Sequence, residues 1–207
     1  MNSFERRAAQ MGYRTIAGID EAGRGPLAGP VVAAAVILPA GYKNPDINDS
    51  KKLSAAKRKK LYDVIQADAV SVGVGLSEVS VIDSLNILQA TLLAMKEAVC
   101  DLSVNPDYLL IDGLNRIDRE IPQETVVHGD ALCISIAAAS IIAKVSRDRL
   151  MEMYHRQFPG YNFLKNKGYG TKEHREAIAL YGRCKIHRRS FHVRGVDDAG
   201  EAGLFTP

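Results

Sequence analysis

The chain has 207 residues, of which 46% are hydrophobic and 25% are charged, and its formal net charge is +3. This composition predicts one domain with a substantial core, although length alone leaves two small domains open, and so mild a basic excess does not by itself indicate a nucleic-acid partner. No apolar run approaches the ~20 residues that cross a bilayer, and the polar N-terminus does not resemble a signal peptide. Three cysteines without close spacing favour a reducing compartment, so we expect a cytoplasmic protein.

The first half of the chain alternates short apolar runs with helical patterns. We predict these elements there: a helix at 3–12, strands at 15–19 and 31–38, a helix at 55–66, a strand at 70–74, and helices at 77–80 and 84–100. The stretch rich in glycine and proline between the first two strands indicates a hairpin.

The second half contains two short apolar runs followed by long helical patterns. We predict these elements there: strands at 108–111 and 125–127, and helices at 131–158 and 172–181. An antiparallel meander followed by strands separated by helices predicts an α/β fold, with a mixed central sheet flanked by helices on both faces. We expect one domain over residues 1–196, with a helical C-terminal part, and a flexible tail at 197–207.

Four acidic residues fall where a predicted strand ends or a predicted helix begins: Asp20, Glu21, Asp112 and Asp130. Singly, each has an ordinary explanation as a turn residue or a helix cap. Together they indicate one acidic site, because such ends gather at one edge of an open α/β sheet. Neighbours on a strand point to opposite faces, so Asp20 and Glu21 can share the site only if the strand ends at them.

Carboxylates without cysteine or histidine partners favour Mg²⁺ or Mn²⁺ over Zn²⁺. Two such ions roughly 4 Å apart can activate a water and stabilise the leaving oxygen of a displacement at phosphorus. Asp148 lies 18 residues beyond Asp130 in the same predicted helix, about 27 Å away, which excludes it from that site. We expect Asp148 to face solvent or to pair with Arg147 or Arg149.

The segment Gly18-Ile-Asp-Glu-Ala-Gly-Arg-Gly-Pro-Leu-Ala-Gly-Pro30 resembles the opening signature of ribonuclease HII, the bacterial type 2 ribonuclease H. Further motifs match that family in order and spacing over residues 15–192. They are Asp49-Ser-Lys-Lys-Leu53, Ile111-Asp-Gly113, Gly129-Asp130, Ala137-Ala-Ala-Ser-Ile-Ile-Ala-Lys-Val145 with Arg147-Asp148, Gly168-Tyr-Gly-Thr171 and His187-Arg-Arg-Ser-Phe191.

This resemblance implies a ribonuclease H-like fold and a metal-dependent endonuclease. The activity it implies is hydrolysis of the RNA strand of RNA–DNA hybrids and incision 5′ of single ribonucleotides in duplex DNA, leaving 3′-hydroxyl and 5′-phosphate ends. It also implies that the four carboxylates are the catalytic and metal-binding residues, with two ions, Mn²⁺ or Mg²⁺.

The same resemblance implies that Gly23, Arg24 and Gly25 meet the ribonucleotide's 2′-hydroxyl, and that Tyr169 senses the junction between RNA and DNA. The 2′-hydroxyl distinguishes RNA from DNA, and glycine permits the close backbone approach needed to read it. By residue type alone, Tyr169 would be an ordinary loop tyrosine.

Several basic residues are candidates for phosphate contacts. Lys51, Lys52 and Lys144 lie within matched motifs and are expected to bind the backbone of the substrate. Arg188 and Arg189 fit either a phosphate contact or a structural role. Residues 57–60 are expected on the solvated face of a helix, and His128 is expected to be structural.

Three other functions stay open at this point. A non-catalytic hybrid-binding module is opposed by the four carboxylates, whose charge repels phosphates. A nuclease that needs a run of ribonucleotides differs only in its substrate, and a metabolite phosphatase leaves the basic clusters unexplained. We expect a monomer that binds nucleic acid and no membrane. A sliding-clamp contact through residues 202–207 stays open, although Leu204-Phe205 is too short to indicate one.

Overall fold

The computed structural model of the chain describes residues 3–48, 50 and 53–198. Its elements in chain order are α1 (Ser3–Gln10), β1 (Ile16–Ala22), β2 (Val31–Ile37), α2 (Ala55–Asp68), β3 (Ser71–Ser77), α3 (Val79–Leu85), α4 (Ile87–Cys100), β4 (Tyr108–Asp112), β5 (Gln123–Val126), α5 (Gly129–Leu132), α6 (Ile134–Gln157), α7 (Phe163–Asn166) and α8 (Lys172–Tyr181). No helix in these ranges has the length and apolarity needed to cross a membrane.

The five strands form one mixed sheet in the order β3-β2-β1-β4-β5. Strands β1, β2 and β3 form an antiparallel meander, whereas β4 and β5 run parallel to β1. The predicted α/β fold with a mixed central sheet is therefore confirmed. Its parallel part gathers the carboxyl ends of β1 and β4 at one edge of the sheet, where such folds bind ligands.

Helices cover both faces of the sheet because its inner strands are apolar on both sides. All seven residues of β2 are buried. Helix α4 packs against Ala33 and Ala35 on one face, while α2 and α6 pack against Ala34 and Val36 on the other. Small residues bring these helices close: a Cβ on Gly75 would lie 2.0 Å from the carbonyl oxygen of Ala94.

The C-terminal part forms a separate apolar cluster around the end of α6. Met151 of α6 packs there with Phe163 of α7 and Ile178 of α8. Ala28, from the loop between β1 and β2, belongs to the same cluster and forms an isolated β-bridge with His187. The C-terminal part therefore lies directly against that loop.

Two predicted boundaries are wrong in ways that affect the site. Strand β1 does not end before Asp20, because it continues antiparallel to β2 as far as Ala22. The predicted helix at 131–158 is two helices, because the backbone of Cys133 is extended (φ −119°, ψ 127°) and separates α5 from α6.

A smaller difference lies between α3 and α4. Asn86 adopts φ 76° there, and its side-chain oxygen accepts hydrogen bonds from the amides of Leu88 and Gln89 at the start of α4. The predicted helix start at residue 84 is therefore wrong, because an asparagine that tolerates positive φ ends one helix and caps the next.

Candidate active site

Two of the four predicted carboxylates lie side by side at the carboxyl edge of the sheet. The parallel register pairs Gly18 with Leu110 and Ile19 with Ile111, so its continuation by one residue places Asp20 beside Asp112. Adjacent strands lie about 4.8 Å apart, and residues at the same register position face the same side. Two acidic side chains thus share one face at neighbouring strand ends.

Asp20 is held in a buried and negatively charged environment. Only 5% of the residue is exposed, and its carboxylate accepts hydrogen bonds from the Glu21 amide at 2.7 Å and from the Ser140 side chain on α6. Burial, followed by the charges of Glu21 and Asp112, raises the pKa of the Asp20 carboxyl well above its usual range. A carboxylate in such a place is stabilised by a nearby cation.

Glu21 differs from Asp20 because β1 continues through both residues. Successive strand residues face opposite sides, so Glu21 starts from the face away from α6. Its Oε1 lies 3.4 Å from Nη1 of Arg24, with which it forms an ion pair. The expectation that the strand ends at these residues is wrong, and Glu21 reaches a site shared with Asp20 only around the end of the strand.

Asp130 lies in the short helix α5 rather than at the cap of a long helix. The N-cap position of α5 is His128, in the left-handed conformation at φ 57°, and Asp130 is buried in the first turn. The Gly129 amide donates a 2.7 Å hydrogen bond to Oδ1 of Asp112, which ties α5 to the end of β4. Asp130 is thereby anchored next to Asp112.

The side chains as placed do not form a closed metal-binding cluster. Within the described ranges, no three acidic, histidine or cysteine side chains lie close enough together to hold one ion. Their backbone positions nevertheless converge on one edge of the sheet, where burial first, and then the charges of Glu21 and Asp112, raise the pKa of Asp20. A set of oxygen donors with surplus negative charge suits a hard divalent cation.

The loop at residues 23–30, here called the glycine loop, lies beside the segment that carries Tyr169. The Leu27 amide donates a 2.8 Å hydrogen bond to the Gly168 carbonyl. A Cβ on Gly25 would meet only the Tyr169 ring, at 3.9 Å, and Tyr169 is 45% exposed. The structure therefore brings the predicted substrate-reading residues together at an open surface.

Sequence reasoning did not assign the two side chains that hold this loop, since Arg147 was expected only as a partner of Asp148 and Arg188 was left open. They are 1% and 0% exposed, and both donate hydrogen bonds to backbone carbonyls of the glycine loop. Arginine is seldom fully buried, so composition and charge pattern give no signal for this role. Arg188 has a structural role, because a fully buried guanidinium does not reach a phosphate. Arg189 is exposed, so a phosphate contact and a structural role both stay open for it.

Of the three lysines expected to bind phosphate, the structure describes only Lys144. Lys144 forms an ion pair with Asp148 at 2.8 Å, so the expected pairing of Asp148 with Arg147 or Arg149 is wrong in its partner. This i,i+4 pair follows from helix geometry. Lys51 and Lys52 lie outside the described residues.

A hydrogen-bonded chain of two neutral imidazoles, His187 and His174, holds the backbone of the Tyr169 segment. The Cys184 amide donates to Nδ1 of His187 at 2.9 Å, so His187 carries its proton on Nε2 and donates to Nε2 of His174 at 3.0 Å. His174 then donates from Nδ1 to the Tyr169 carbonyl at 2.9 Å. Burial and the neighbouring His174 lower the pKa of His187 to about 4, which keeps the chain neutral.

A cavity of about 550 Å³ lies at the opposite end of β1. Its lining includes Glu5, Tyr13, Ile16, Leu38 and Tyr42, and none of the four carboxylates. The acidic edge and this cavity are therefore separate features of the molecule.

Comparisons with known proteins agree with this geometry. A sequence model described as ribonuclease HII matches residues 17–194. Ribonuclease HII from Syntrophus aciditrophicus is 71% identical over 194 residues, which cover 94% of this chain and 92% of that protein. The crystal structure of ribonuclease H2 from Pyrococcus horikoshii is similar with a TM-score of 0.74 at 25% identity, covering 90% of this chain and 99% of that one. The complex of PCNA with ribonuclease HII from Archaeoglobus fulgidus is similar with a TM-score of 0.72 at 26% identity, covering 89% and 99%.

Proposed function

The chain belongs to the ribonuclease HII family and is an endoribonuclease that degrades RNA in RNA–DNA hybrids, and from that premise we propose that it also incises duplex DNA at single embedded ribonucleotides. The incision lies on the 5′ side of the ribonucleotide and leaves 3′-hydroxyl and 5′-phosphate ends. The observation that carries this proposal is the pair of carboxylates, Asp20 and Asp112, side by side at the parallel strand ends.

Divalent ions, Mn²⁺ or Mg²⁺, fit this edge of the sheet because its donors are all carboxylates and carry excess charge. Asp20, Glu21, Asp112 and Asp130 are the residues that would hold two ions. When bound, the ions supply activation of a water and stabilisation of the leaving oxygen at phosphorus. Without a cation, the same carboxylates would repel a phosphodiester, so the charge arrangement itself supports metal dependence.

We propose that Glu21 rearranges locally when it holds an ion. Its carboxylate is paired with Arg24, on the loop proposed to meet the ribonucleotide. The pair is partly exposed at 3.4 Å, so it contributes little free energy and can open at low cost. Release of Glu21 would free Arg24 to face substrate at the same moment.

The glycine loop and Tyr169 are the proposed readers of the ribonucleotide. Gly25 lies beside the Tyr169 ring at an exposed surface, so a sugar could be met there by backbone and by an aromatic ring together. Lys51, Lys52 and Lys144 are proposed phosphate contacts, with Lys144 exchanging its pair with Asp148 for a phosphate.

The proposal also covers the oligomeric state, the location and one protein partner. We expect the enzyme to act as a monomer in the cytoplasm of a bacterium, where its DNA substrate lies. A sliding-clamp contact is proposed for residues 202–207, by analogy with the archaeal PCNA complex, and those residues lie outside the described ranges. Truncation after residue 198 would leave cleavage intact and remove clamp binding if this contact exists.

The proposed function is tested with three labelled duplexes of one sequence: a long RNA–DNA hybrid, DNA with one ribonucleotide, and DNA alone. We expect metal-dependent cutting of the first two and none of the third, with the single-ribonucleotide duplex cut on the 5′ side. Cutting of the hybrid alone would indicate a nuclease that needs a run of ribonucleotides. Binding without any cutting would indicate a hybrid-binding module.

A further inference from the structure

Arg188 holds the first part of the glycine loop by its carbonyl groups. Nη2 of its buried guanidinium lies 2.5 Å from the Gly23 oxygen, and Nη1 lies 2.8 Å from the Arg24 oxygen. Nε and Nη2 both donate to the Gly29 oxygen, at 3.0 and 2.8 Å. One rigid, planar fork therefore joins the two ends of the loop.

Arg147 holds the second part of the loop and joins it to the Tyr169 segment. Its Nε donates to the Pro30 oxygen at 3.0 Å, and Nη2 donates to the Ala28 oxygen at 3.1 Å. Nη1 donates to the Lys167 oxygen at 3.0 Å, two residues before Tyr169. Arg147 also explains the glycine at position 23, where a Cβ would lie 2.1 Å from its Nε.

Holding a loop with two buried arginines costs free energy of folding. In the part of the chain that the structure describes, every hydrogen bond of both guanidinium groups goes to a backbone carbonyl. Burying a cation without a paired carboxylate is costly, and burial together with Arg147 lowers the pKa of Arg188 to about 9. A loop needed only to connect two strands would not require them.

Their effect on the loop follows from peptide geometry. The carbonyl of one residue and the amide of the next belong to one planar trans peptide and point in opposite directions. Because Arg188 binds the Gly23 and Arg24 carbonyls from the inside, the amides of Arg24 and Gly25 point outwards. Among the described residues these two amides have no acceptor, and Gly25 faces the Tyr169 ring.

We propose that Arg188 is a positioning residue that gives the enzyme its preference for a ribonucleotide, because its grip on the Gly23 and Arg24 carbonyls aims the next two amides at the 2′-hydroxyl. This inference rests on the proposed function, in which the glycine loop meets the ribonucleotide. Arg188 itself touches no substrate, since it is fully buried.

The test compares the affinity of the enzyme for two duplexes that differ by one oxygen: DNA with one ribonucleotide and the same DNA without it. Binding is measured with Ca²⁺ as the metal, and intact strands are verified on a gel. Arg188→Lys keeps the positive charge and loses the planar fork, so we expect the preference for the ribonucleotide duplex to fall about tenfold. Affinity for the all-DNA duplex should stay the same, whereas partial unfolding would lower both affinities together.

The matched control is Arg156→Lys, the same change at an exposed arginine near the end of α6, which should keep the wild-type preference. If Arg188→Lys does not fold, Phe191→Leu replaces it, because the Arg188 guanidinium lies 4.9 Å from the centre of that ring. We expect Phe191→Leu to lower the preference about two- to fivefold.

A wild-type preference that persists in folded Arg188→Lys, or in Phe191→Leu if the former is unfolded, overturns the inference. The wild-type enzyme distinguishes this failure from failure of the proposed function. If the wild-type enzyme itself binds both duplexes equally and cuts neither, the proposed incision at single ribonucleotides is wrong.

Discussion

Asp20 lies where the ionised form of a carboxylate is strongly disfavoured. It is almost fully buried, lies beside two other acidic residues and keeps its hydrogen bonds from Ser140 and the Glu21 amide. Such an arrangement stores unfavourable electrostatic free energy that a bound cation removes. At the scale of one residue, this placement lowers the stability of the metal-free protein, as expected of a residue proposed to hold a cation.

The first prediction concerns the stability of metal-free protein. The pKa of Asp20 is raised in the folded state, so folded protein binds its proton more tightly and loses stability as pH rises from the unfolded value through the raised one. At neutral pH, Asp20→Asn should therefore raise the melting temperature by at least about 2 °C, and the gain should shrink towards pH 4. A lower melting temperature of the variant at neutral pH, measured by calorimetry, would contradict this electrostatic account.

The second prediction separates the two glycines that flank Arg24. Gly23 has φ +100° and no room for a Cβ, because Arg147 occupies the space, whereas a Cβ on Gly25 would make only an ordinary van der Waals contact, with Tyr169. Gly23→Ala should lower the free energy of unfolding by about 1–3 kcal/mol. Gly25→Ala should keep wild-type stability and slow cleavage at a single ribonucleotide. Urea unfolding and initial rates measure both, and equal stability of the two variants would argue against the described loop geometry.

At the scale of elements, the strand and helix ends decide the site. The carboxylates, the order of elements and the two-sided sheet were predictable, because apolar runs that stop at acidic residues are visible in the sequence. The continuation of β1 to Ala22 could not be predicted, because Asp20 and Glu21 are poor strand formers. Only the pairing of β1 with β2 overrides this low propensity. The break at Cys133 was equally hidden, since nothing in Asp130 to Ile134 excludes a helix.

The imidazole chain behind Tyr169 gives the third prediction. The folded pKa of His187 is about 4, below its value of about 6.5 in the unfolded chain, so the folded state binds the proton less tightly. Its stabilising contribution is present above pH 6.5 and is lost as pH falls from about 6.5 towards 4. Between pH 7 and 4.5 the wild type should lose about 2–3 kcal/mol more stability than His187→Gln.

Urea unfolding at the two pH values measures this difference, and the comparison cancels the carboxylates that titrate in the same range. If His187→Gln loses as much stability as the wild type, the imidazoles of His174 and His187 do not stay neutral in the folded protein.

At the scale of the whole molecule, the proposed site lies between two cores. The sheet supplies Asp20 and Asp112, while the C-terminal part of the chain supplies Tyr169 and, through Arg188, support for the glycine loop. The sequence motifs predicted both halves of this site. They did not predict how the halves are joined, because Arg147 and Arg188 act through backbone carbonyls that any sequence provides.

The fourth prediction is that divalent ions stabilise the whole fold. A ligand that binds only folded protein raises its stability, so Mg²⁺ or Mn²⁺ well above the dissociation constant should raise the melting temperature by several degrees. Asp20→Asn should show little of this rise. The melting temperature of each protein is compared with that of the same protein without metal. An equal rise in Asp20→Asn would place the ion elsewhere.

The carboxylates at the parallel strand ends are proposed to perform metal-dependent cleavage at a ribonucleotide. The most direct measurement is the initial rate of cutting of a single-ribonucleotide duplex in Mn²⁺ or Mg²⁺ by wild type, Asp112→Asn and Asp118→Asn. Asp118 is an exposed carboxylate paired with Lys96, so its variant removes the same charge away from the site. We expect Asp112→Asn to lose at least about a hundredfold in rate and Asp118→Asn to match wild type. Wild-type cutting by Asp112→Asn would contradict the account.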